Sequence, residues 1–348
     1  MLAGCAAGAR LKPRLHVEAR ATVGQGPMRL RAAILLLFTC ALRAASQEDL
    51  QSLVDDGHWK RARALVEQRL AADSADARFL WLASRVRTAY GQFDSAAELG
   101  EKAAKLDPRN ADYQFNLAEI YGSIAQKASL FKQASYGLKC KRAMDAANRL
   151  DPNHIDTLII LMLYYYQAPG LIGGDKGKAR AFPAQIGRID ASRGYLAEAR
   201  LAGMEKQFGK FEELYKKAVA ANPQSYEARL ALARHFLGRR DPASAEEHAL
   251  EAARLHPGRV APHSILAIVS ARNGKFSEME TRLAAAEKLF PDDLSPYFGA
   301  AVNLQETGKE LGKAEVYFRK YLAQEPEPSS AGHARAKSQL ALLKRSKG

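Results

Sequence analysis

A period of about 34 residues is the feature of this sequence that most restricts the folds open to it. The segments "GHWKRARALVEQRL" and "GQFDSAAELGEKAAKLDP" begin one such period apart, at Gly57 and Gly91, and "GKFSEMETRLAAAEKLFP" begins at Gly274. Each copy has an aromatic residue two positions after its glycine, followed by small residues at helical spacing. Such a repeat predicts stacked structural units, because one unit cannot bury its apolar face alone.

Prolines mark the ends of the units, at Pro108, Pro152, Pro223, Pro257 and Pro291. The last two steps between them each equal the period, and the long step from Pro152 to Pro223 corresponds to two units. A proline cannot continue a helix, whereas a glycine accommodates the turn between two helices. The pattern therefore predicts units that each consist of two helices joined by a glycine turn.

This unit resembles the tetratricopeptide repeat family over about residues 48–327. The second half of the family's motif is matched by Gly91, Phe93, Ala96, Ala103 and Pro108. Most of another copy is matched by Leu232, Ala233, Phe236, Ala245, Ala252 and Pro257. A third copy is matched by Leu266, Ala267, Gly274, Phe276, Ala286 and Pro291.

The resemblance implies an all-α fold, a right-handed superhelical solenoid of antiparallel helix pairs with about eight repeats. We place the units at about 48–75, 76–110, 111–154, 155–191, 192–225, 226–259, 260–293 and 294–327. The solenoid then spans residues 47–327, and residues 328–348 hold a C-terminal capping helix, Gly332 to Arg345, and a basic tail.

Three units depart from the regular pattern. The third carries an insertion around Ala125 to Lys139, which predicts longer helices, and the fifth has its Gly209 closer to Pro223 than the regular units do, which predicts a displaced turn. The fourth contains "YYYQAPGLIGGDKGKARAF", in which Pro183 is expected to kink the second helix or delay its start. Its glycine-rich loop is a candidate binding element through Pro169, Gly170, Gly173, Gly174 and Asp175.

This loop lacks the features of a nucleotide-binding loop. The spacing between Gly173 and Gly177 is one position too short, and Lys178 is followed by an alanine that offers Mg²⁺ no hydroxyl. No strand is predicted before it, although a phosphate loop joins a strand to a helix. We interpret it as an inter-helix turn enlarged by the segment "APGLI", which either faces a ligand or is structural filler.

In tetratricopeptide arrays the first helix of each pair lines a concave groove, and the resemblance carries this role to one set of residues. Apolar side chains interspersed with arginines suit a peptide, or an amphiphile with an acidic head. Burial of individual members between the helices is the alternative, and the apolar segment 157–166 is interpreted as core or as an apolar pocket. The set comprises Trp81, Arg85, Phe115, Glu119, Ile159, Leu163, Tyr166, Leu230, Arg234, Ile268, Arg272, Phe298 and Val302.

The N-terminus predicts export. Residues 28–46 combine two arginines, a short apolar run and small residues before Ser46, which is typical of a cleaved signal peptide. The run is too short to span a bilayer, and an uncleaved anchor is the alternative. Residues 1–27 are interpreted as a mis-annotated or disordered extension. We therefore expect a bacterial periplasmic or envelope-associated protein whose mature chain has no membrane span.

Composition and motifs argue against catalysis and nucleic-acid binding. The formal charge is +14, of which residues 1–46 contribute +6, so the remaining excess is spread thinly along the chain. The sequence has no HExxH motif, no GxSxG motif and no catalytic Cys–His context, and the spacings of His235, His248, His256 and His263 fit no compact zinc motif. Cys140 alone remains after cleavage of the leader, which excludes an internal disulfide in the mature chain. We predict no enzyme activity, no cofactor and no metal.

Two functional hypotheses remain from the sequence. The first is a non-catalytic scaffold or adaptor in the cell envelope, with a protein or peptide partner in the concave groove. The second is a ligand-binding component of an envelope transport system that holds a small amphiphilic molecule, similar in broad design to the T-component family of TRAP transporters. A scaffold predicts a protein partner, whereas a solute-binding role predicts a small bound molecule.

Overall fold

The computed structural model of the chain describes residues 50–71 and 76–347. The predicted N-terminal extension, 1–27, and signal peptide, 28–46, lie outside the described residues. Within those two described ranges, none of the helices is both long enough and apolar enough to cross a membrane.

The described chain forms seventeen α-helices, of which the first sixteen make eight consecutive pairs. This confirms the predicted all-α repeat solenoid with a further helix after the last pair. The helices are α1 (50–56), α2 (Trp59–Ala71), α3 (Ala77–Ala89), α4 (Phe93–Leu106), α5 (Ala111–Lys127), α6 (Leu130–Leu150), α7 (Ile155–Gln167), α8 (Lys176–Ile189), α9 (Ala191–Met204), α10 (Phe211–Ala221), α11 (Tyr226–Arg239), α12 (Pro242–Leu255), α13 (Val260–Arg272), α14 (Phe276–Leu289), α15 (Ser295–Thr307), α16 (Leu311–Leu322) and α17 (His333–Lys347).

Turn glycines and capping side chains explain why the pairs recur at a fixed period. Gly57, Gly91 and Gly274 each have a left-handed backbone, with φ of +86°, +70° and +71°, which a residue with a Cβ adopts only at a cost. The Asp76 side chain accepts a hydrogen bond from the N–H of Phe79 at 2.7 Å and so begins α3. A cap of this kind contributes about 1 kcal/mol to helix stability.

Small residues hold the two helices of a pair, and neighbouring pairs, close together. Ala96, Ala103 and Ala245 are fully buried at such contacts. α8 and α9 approach each other so closely that a Cβ added to Gly194 would lie 2.5 Å from the Cα of Gly187. The backbones of these two helices therefore touch, and no larger residue fits at Gly194 without a shift.

The irregular units behave largely as expected. α5 has 17 residues and α6 has 21, whereas the other helices from α2 to α17 have 11 to 15. In the fifth unit a 3-10 turn, Phe208–Lys210, precedes α10.

Of the two alternatives predicted for Pro183, a kink in the second helix or a delay of its start, the delay does not occur. α8 begins at Lys176, where Asp175 caps its first turn by accepting from the N–H of Lys178 at 3.0 Å, and it continues through Pro183.

Candidate functional site

The glycine-rich loop of the fourth unit is a compact, hydrogen-bonded turn. The N–H of Gly174 donates to the carbonyl of Pro169 at 3.0 Å, and the N–H of Asp175 donates to the carbonyl of Tyr165 at 2.7 Å. Gly173 has φ of +92°, and a Cβ added to Gly174 would lie 1.7 Å from the carbonyl oxygen of Ala168. These backbone amides are thus used within the turn and do not form a cradle for a phosphate.

The loop and the lengthened helices of the third unit meet at one cavity of about 700 Å³. Residues of the third-unit insertion form one side, from the end of α5 and the first half of α6, and the end of α7 and the enlarged turn form another. Two of the three departures from the repeat pattern, those of the third and fourth units, therefore meet at a single site. The side chains that matter most for its character are Glu119, Leu138, Ile160, Leu163, Tyr164 and Arg200.

The cavity holds one acidic and one basic group that are not paired with each other. Arg200 has no hydrogen-bond or ion-pair partner among the described residues, and neither has Glu119. Glu119 reaches solvent, but surrounding protein desolvates it and raises the pKa of its carboxyl, with Arg85 opposing the shift and Asp156 adding to it. Each group is available to a ligand of opposite charge.

Apolar side chains at the rim of the cavity are open to solvent. Leu138 is 56% exposed and Ile172 is 51% exposed, and both line the cavity. Leu171, the neighbour of Ile172 in the loop, is fully exposed. Scattered exposed leucines are common, but Leu138 and Ile172 lie at one concavity, with Leu171 next to Ile172 in the chain, and such side chains form a surface that a partner can cover.

Tyrosines at the end of α7 fix the wall formed by the loop. The Tyr164 hydroxyl donates to the carbonyl of Ile172, and the Lys141 ammonium lies 5.9 Å from the centre of the Tyr164 ring. Lys141 also pairs with Asp145 at 2.6 Å. Tyr164 thus supports the loop, and it is the one of the three tyrosines Tyr164, Tyr165 and Tyr166 that lines the cavity.

Three of the predicted site residues, Glu119, Leu163 and Pro169, line this cavity. Trp81 and Arg85 lie outside the cavity, in the second unit, where the Arg85 guanidinium is 5.1 Å from the Trp81 ring and Arg85 pairs with Asp55 at 2.8 Å. The other predicted loop residues, Gly170, Gly173, Gly174 and Asp175, shape the turn.

The remaining predicted groove residues are dispersed. Phe115 packs edge-on against His154, with 5.3 Å between ring centres. The Tyr166 hydroxyl donates to the carbonyl of Met204 at 3.2 Å, and Ile159 is half-buried against the core cluster of the fourth and fifth units. Arg234 is exposed.

Two predicted groove residues lie in the core instead of on an open surface. Leu230 and Phe298 are each only 8% exposed, because they fill the seams between neighbouring helices. Phe298 packs against Tyr321 with 5.2 Å between ring centres. Ile268 and Val302 are half-buried, and Arg272 is drawn inward to donate to the carbonyl of Leu237, where burial lowers its pKa.

Sequence reasoning missed Arg200, Leu138 and Tyr164 as members of the site. Leu138 belongs to the inserted segment of the third unit, so the insertion was the available signal. Arg200 carries no comparable signal, because its position on α9 matters only through the packing of α9 beside α7.

Nucleophilic catalysis by Cys140 and metal binding find little support in the structure. Cys140 lines it, but burial raises the pKa of the thiol to about 11, which makes it a poor nucleophile. Within residues 50–71 and 76–347, no group of His, Cys, Asp and Glu side chains is arranged to hold a metal ion.

No protein-family model and no curated protein matches the sequence. Among solved structures, yeast Tom70 aligns with 84% of this chain at 19% identity and a TM-score of 0.53, and the chain spans 60% of the Tom70 chain. The human IFIT1 dimer with PPP-AAAA aligns with 83% of this chain and 70% of its own at 14% identity and a TM-score of 0.50. A tetratricopeptide repeat protein from Parabacteroides merdae aligns with 86% of this chain and 99% of its own, at 16% identity and a TM-score of 0.40.

At these low sequence identities, the structural alignments show similarity of fold alone. The chain itself supplies the more detailed observations, namely eight consecutive helix pairs, left-handed glycines at inter-helix turns, and buried alanines at the helix contacts. Taken with the alignment to solved helical-repeat structures over more than four fifths of its length, these features show that the chain has the tetratricopeptide repeat fold.

Proposed function

We propose that the protein is a non-catalytic scaffold that binds a segment of a partner protein, with the cavity of the third and fourth units as the main contact. The observation that carries this proposal is the convergence of two separate insertions on one cavity. Insertions in a repeat array do not contribute to the repeating core, so their side chains are free to serve binding.

The character of the cavity suits an amphipathic protein segment. Its volume of about 700 Å³ is sufficient for several side chains, and its lining includes the exposed Leu138 and Ile172. Covering one such side chain completely contributes about 1.5–3 kcal/mol. The free Arg200 guanidinium provides a bidentate donor for a partner carboxylate, which would fix the orientation of the bound segment.

The test is site-specific photo-crosslinking in the native host. A photoreactive phenylalanine analogue replaces Leu138 in one strain and Leu250, a leucine of α12 that is 51% exposed and remote from the cavity, in another. We expect a discrete crosslinked protein with the first variant and none with the second. Equal crosslinking from both positions, or none from either, would contradict the proposal.

Arg200→Glu provides a second, independent readout in the same strain. The change reverses the charge of a cavity side chain, and the mutated residue is exposed. We expect it to abolish the crosslink from position 138 while the protein remains folded, as judged by its helical circular dichroism. The matched control is Arg188→Glu, which reverses the charge of an exposed arginine on α8 that does not line the cavity. It should leave the crosslink intact.

Export to the cell envelope is part of the same proposal and rests on residues 28–46. A denaturing mass spectrum of the purified protein reports the N-terminus directly, and cleavage near Ser46 supports export. A chain that begins at Met28 argues against cleavage. A small acid that stays bound in the native mass spectrum would favour the solute-binding alternative, because Arg200 and the apolar lining also suit an amphiphile.

A further inference from the structure

The first helix pair contacts the far end of the array as well as its neighbour in sequence. The start of α2 lies against turns that follow α12, α14 and α16, and its hydrogen-bond partners there are 200 to 267 residues away. The Nε2 of His58 is 2.8 Å from the carbonyl oxygen of Gly258, and the His58 ring stacks on Phe290 with 5.6 Å between ring centres. The described array therefore closes on itself along one edge.

Charged groups of opposite sign face each other across this closure. The first pair contributes mainly basic residues and the later turns mainly acidic ones. Each pair is partly exposed, and pairs of this kind contribute little individually and weaken with salt. Three ion pairs cross the contact: Arg61–Asp292 at 3.0 Å, Arg63–Glu325 at 3.3 Å and, in the reverse sense, Arg259–Asp56 at 3.3 Å.

Glu327 is the buried member of the closure. It is 1% exposed, and its Oε2 accepts from the backbone N–H of Lys60 at 3.1 Å, at the N-terminal end of α2. The Lys60 ammonium donates to the carbonyl of Glu325 at 2.6 Å. Pro326 and Pro328 flank Glu327 and restrict the backbone of the turn that presents it. A side chain from the last unit thus satisfies a free N–H of the second helix.

The first pair is held to the second unit in a different way. Leu50, Leu53, Val54, Ala62 and Val66 are buried in the core cluster that continues into α3 and α4. Apolar burial is insensitive to the screening that weakens exposed ion pairs. The two attachments of the first pair therefore differ in kind: the one to the second unit is apolar, whereas the one to the later turns combines three partly exposed ion pairs with the Glu327 hydrogen bond and the His58–Phe290 stack.

We propose that the first helix pair is an ionic latch: its contacts with the turns after α12, α14 and α16 hold the array closed, and their loss releases the far units while the first pair stays packed on the second. The latch is a property of the fold and does not depend on the proposed function. Any effect of the latch on partner binding does rest on the proposed function. Opening the latch would expose the concave side of the array along its full length.

The test measures the distance across the closure in the full chain. Donor and acceptor dyes are attached at Ala64→Cys and Ser329→Cys, both exposed positions beside the contact, after the natural cysteines are replaced by serine. We expect efficient energy transfer in dilute buffer and a loss of transfer in 1 M salt, where the Debye length falls to about 3 Å. The combined change Arg61→Glu and Arg63→Glu should produce the same loss without added salt.

A charge swap separates the latch from general destabilisation. Adding Asp292→Arg and Glu325→Arg to the opened variant restores opposite signs across the contact and should restore energy transfer. The control, Lys313→Glu with Lys320→Glu, removes two ion pairs between α14 and α16, at 2.9 Å and 2.6 Å, and should leave transfer unchanged. Helical circular dichroism should stay constant throughout.

Transfer that is insensitive to both salt and charge reversal would overturn the latch, as would failure of the charge swap to restore it in a folded protein. These results are independent of the crosslink from position 138, which reports only on the cavity. Loss of that crosslink with a normal response across the closure would count against the proposed function alone.

Discussion

The sixth and seventh units and the third and fourth units are built on the same pattern but differ in what they leave open. In the regular pairs, α11 to α14, helices of 13 or 14 residues pack through fully buried alanines such as Ala245, Ala249 and Ala252. In the irregular pairs, α5 has 17 residues, α6 has 21 and an enlarged turn joins α7 to α8, and a cavity of about 700 Å³ remains between them. The regular repeat specifies how the helix pairs pack, whereas the insertions in the third and fourth units leave space for the cavity.

The physical reason lies in the geometry of a stacked array. Every unit must match its neighbours at the small, buried positions, so these positions carry the period and have little freedom to bind anything. Residues added outside the period have no complementary position in the next unit and remain at the surface. The exposed Leu138 and Leu171 both belong to such additions.

The largest expected effect compares one leucine from each region. Leu232→Ala removes a side chain that is 1% exposed in the regular sixth unit, and we expect the free energy of unfolding to fall by about 2–5 kcal/mol. Leu138→Ala in the irregular third unit should change it by less than about 0.5 kcal/mol. Urea titrations followed by circular dichroism measure both, and equal losses would contradict the division into core and site.

A smaller effect on the free energy of unfolding is expected at the closure, from Glu327. The pKa of its carboxyl is raised to about 7, mainly by burial and also by Asp293 and Asp292, whereas Lys60 lowers it. The folded-state pKa exceeds the unfolded value, so the contribution of Glu327 to stability is fully present at low pH and is lost as pH rises from about 4.5 to about 7.

Glu327→Gln removes this titration and keeps an acceptor for the N–H of Lys60. We expect the variant to exceed the wild type in stability at pH 8, by on the order of 1–3 kcal/mol, and to lose this advantage at about pH 4.5. Thermal melts across this range test the sign. A stability difference that is constant with pH would show that Glu327 is not the titrating group.

The joint between the irregular fourth unit and the fifth is expected to be intolerant of one added methyl group. Gly194→Ala would place its Cβ 2.5 Å from the Cα of Gly187, and we expect a loss of about 1–3 kcal/mol because helix backbones must separate. Gly238→Ala, in α11 with no neighbour within 4 Å, should instead stabilise the protein by about 0.5–1 kcal/mol. Chemical denaturation of the two variants provides the comparison.

The smallest expected effect concerns the enlarged turn. Gly174→Ala would place its Cβ 1.7 Å from the carbonyl oxygen of Ala168 and should displace the turn at a cost of about 1 kcal/mol. Gly170→Ala meets nothing within 4 Å and should be neutral. Amide hydrogen exchange at Gly174 and Asp175 should accelerate in the first variant only. Unchanged exchange there would mean that the turn is less constrained than its hydrogen bonds indicate.

Much of the architecture is predictable from the sequence because it is local. Glycines such as Gly91 at the turn positions, and prolines such as Pro108 just beyond the helix ends, recur along the chain, so eight helix pairs follow from counting. The enlargement of the fourth turn by "APGLI" is equally local. Whether Pro183 kinks the second helix or delays its start was left open by the sequence, and the structure shows that α8 begins at Lys176 and runs through Pro183.

Only the tertiary structure decided where these units meet and what they leave open. The rotation from one unit to the next is small and appears in no local pattern, but summed over eight units it brings Lys60 to Glu327, which is 267 residues away. The packing of successive units also places the insertion of the third unit beside the turn of the fourth. As a result, Leu163 lines a cavity, whereas Leu230, a groove candidate in a regular unit, is buried.

The sequence by itself determined the repeating unit, because each unit is held by contacts within about 40 residues. Closure and cavity depend on contacts between units, and only the assembled array fixes them.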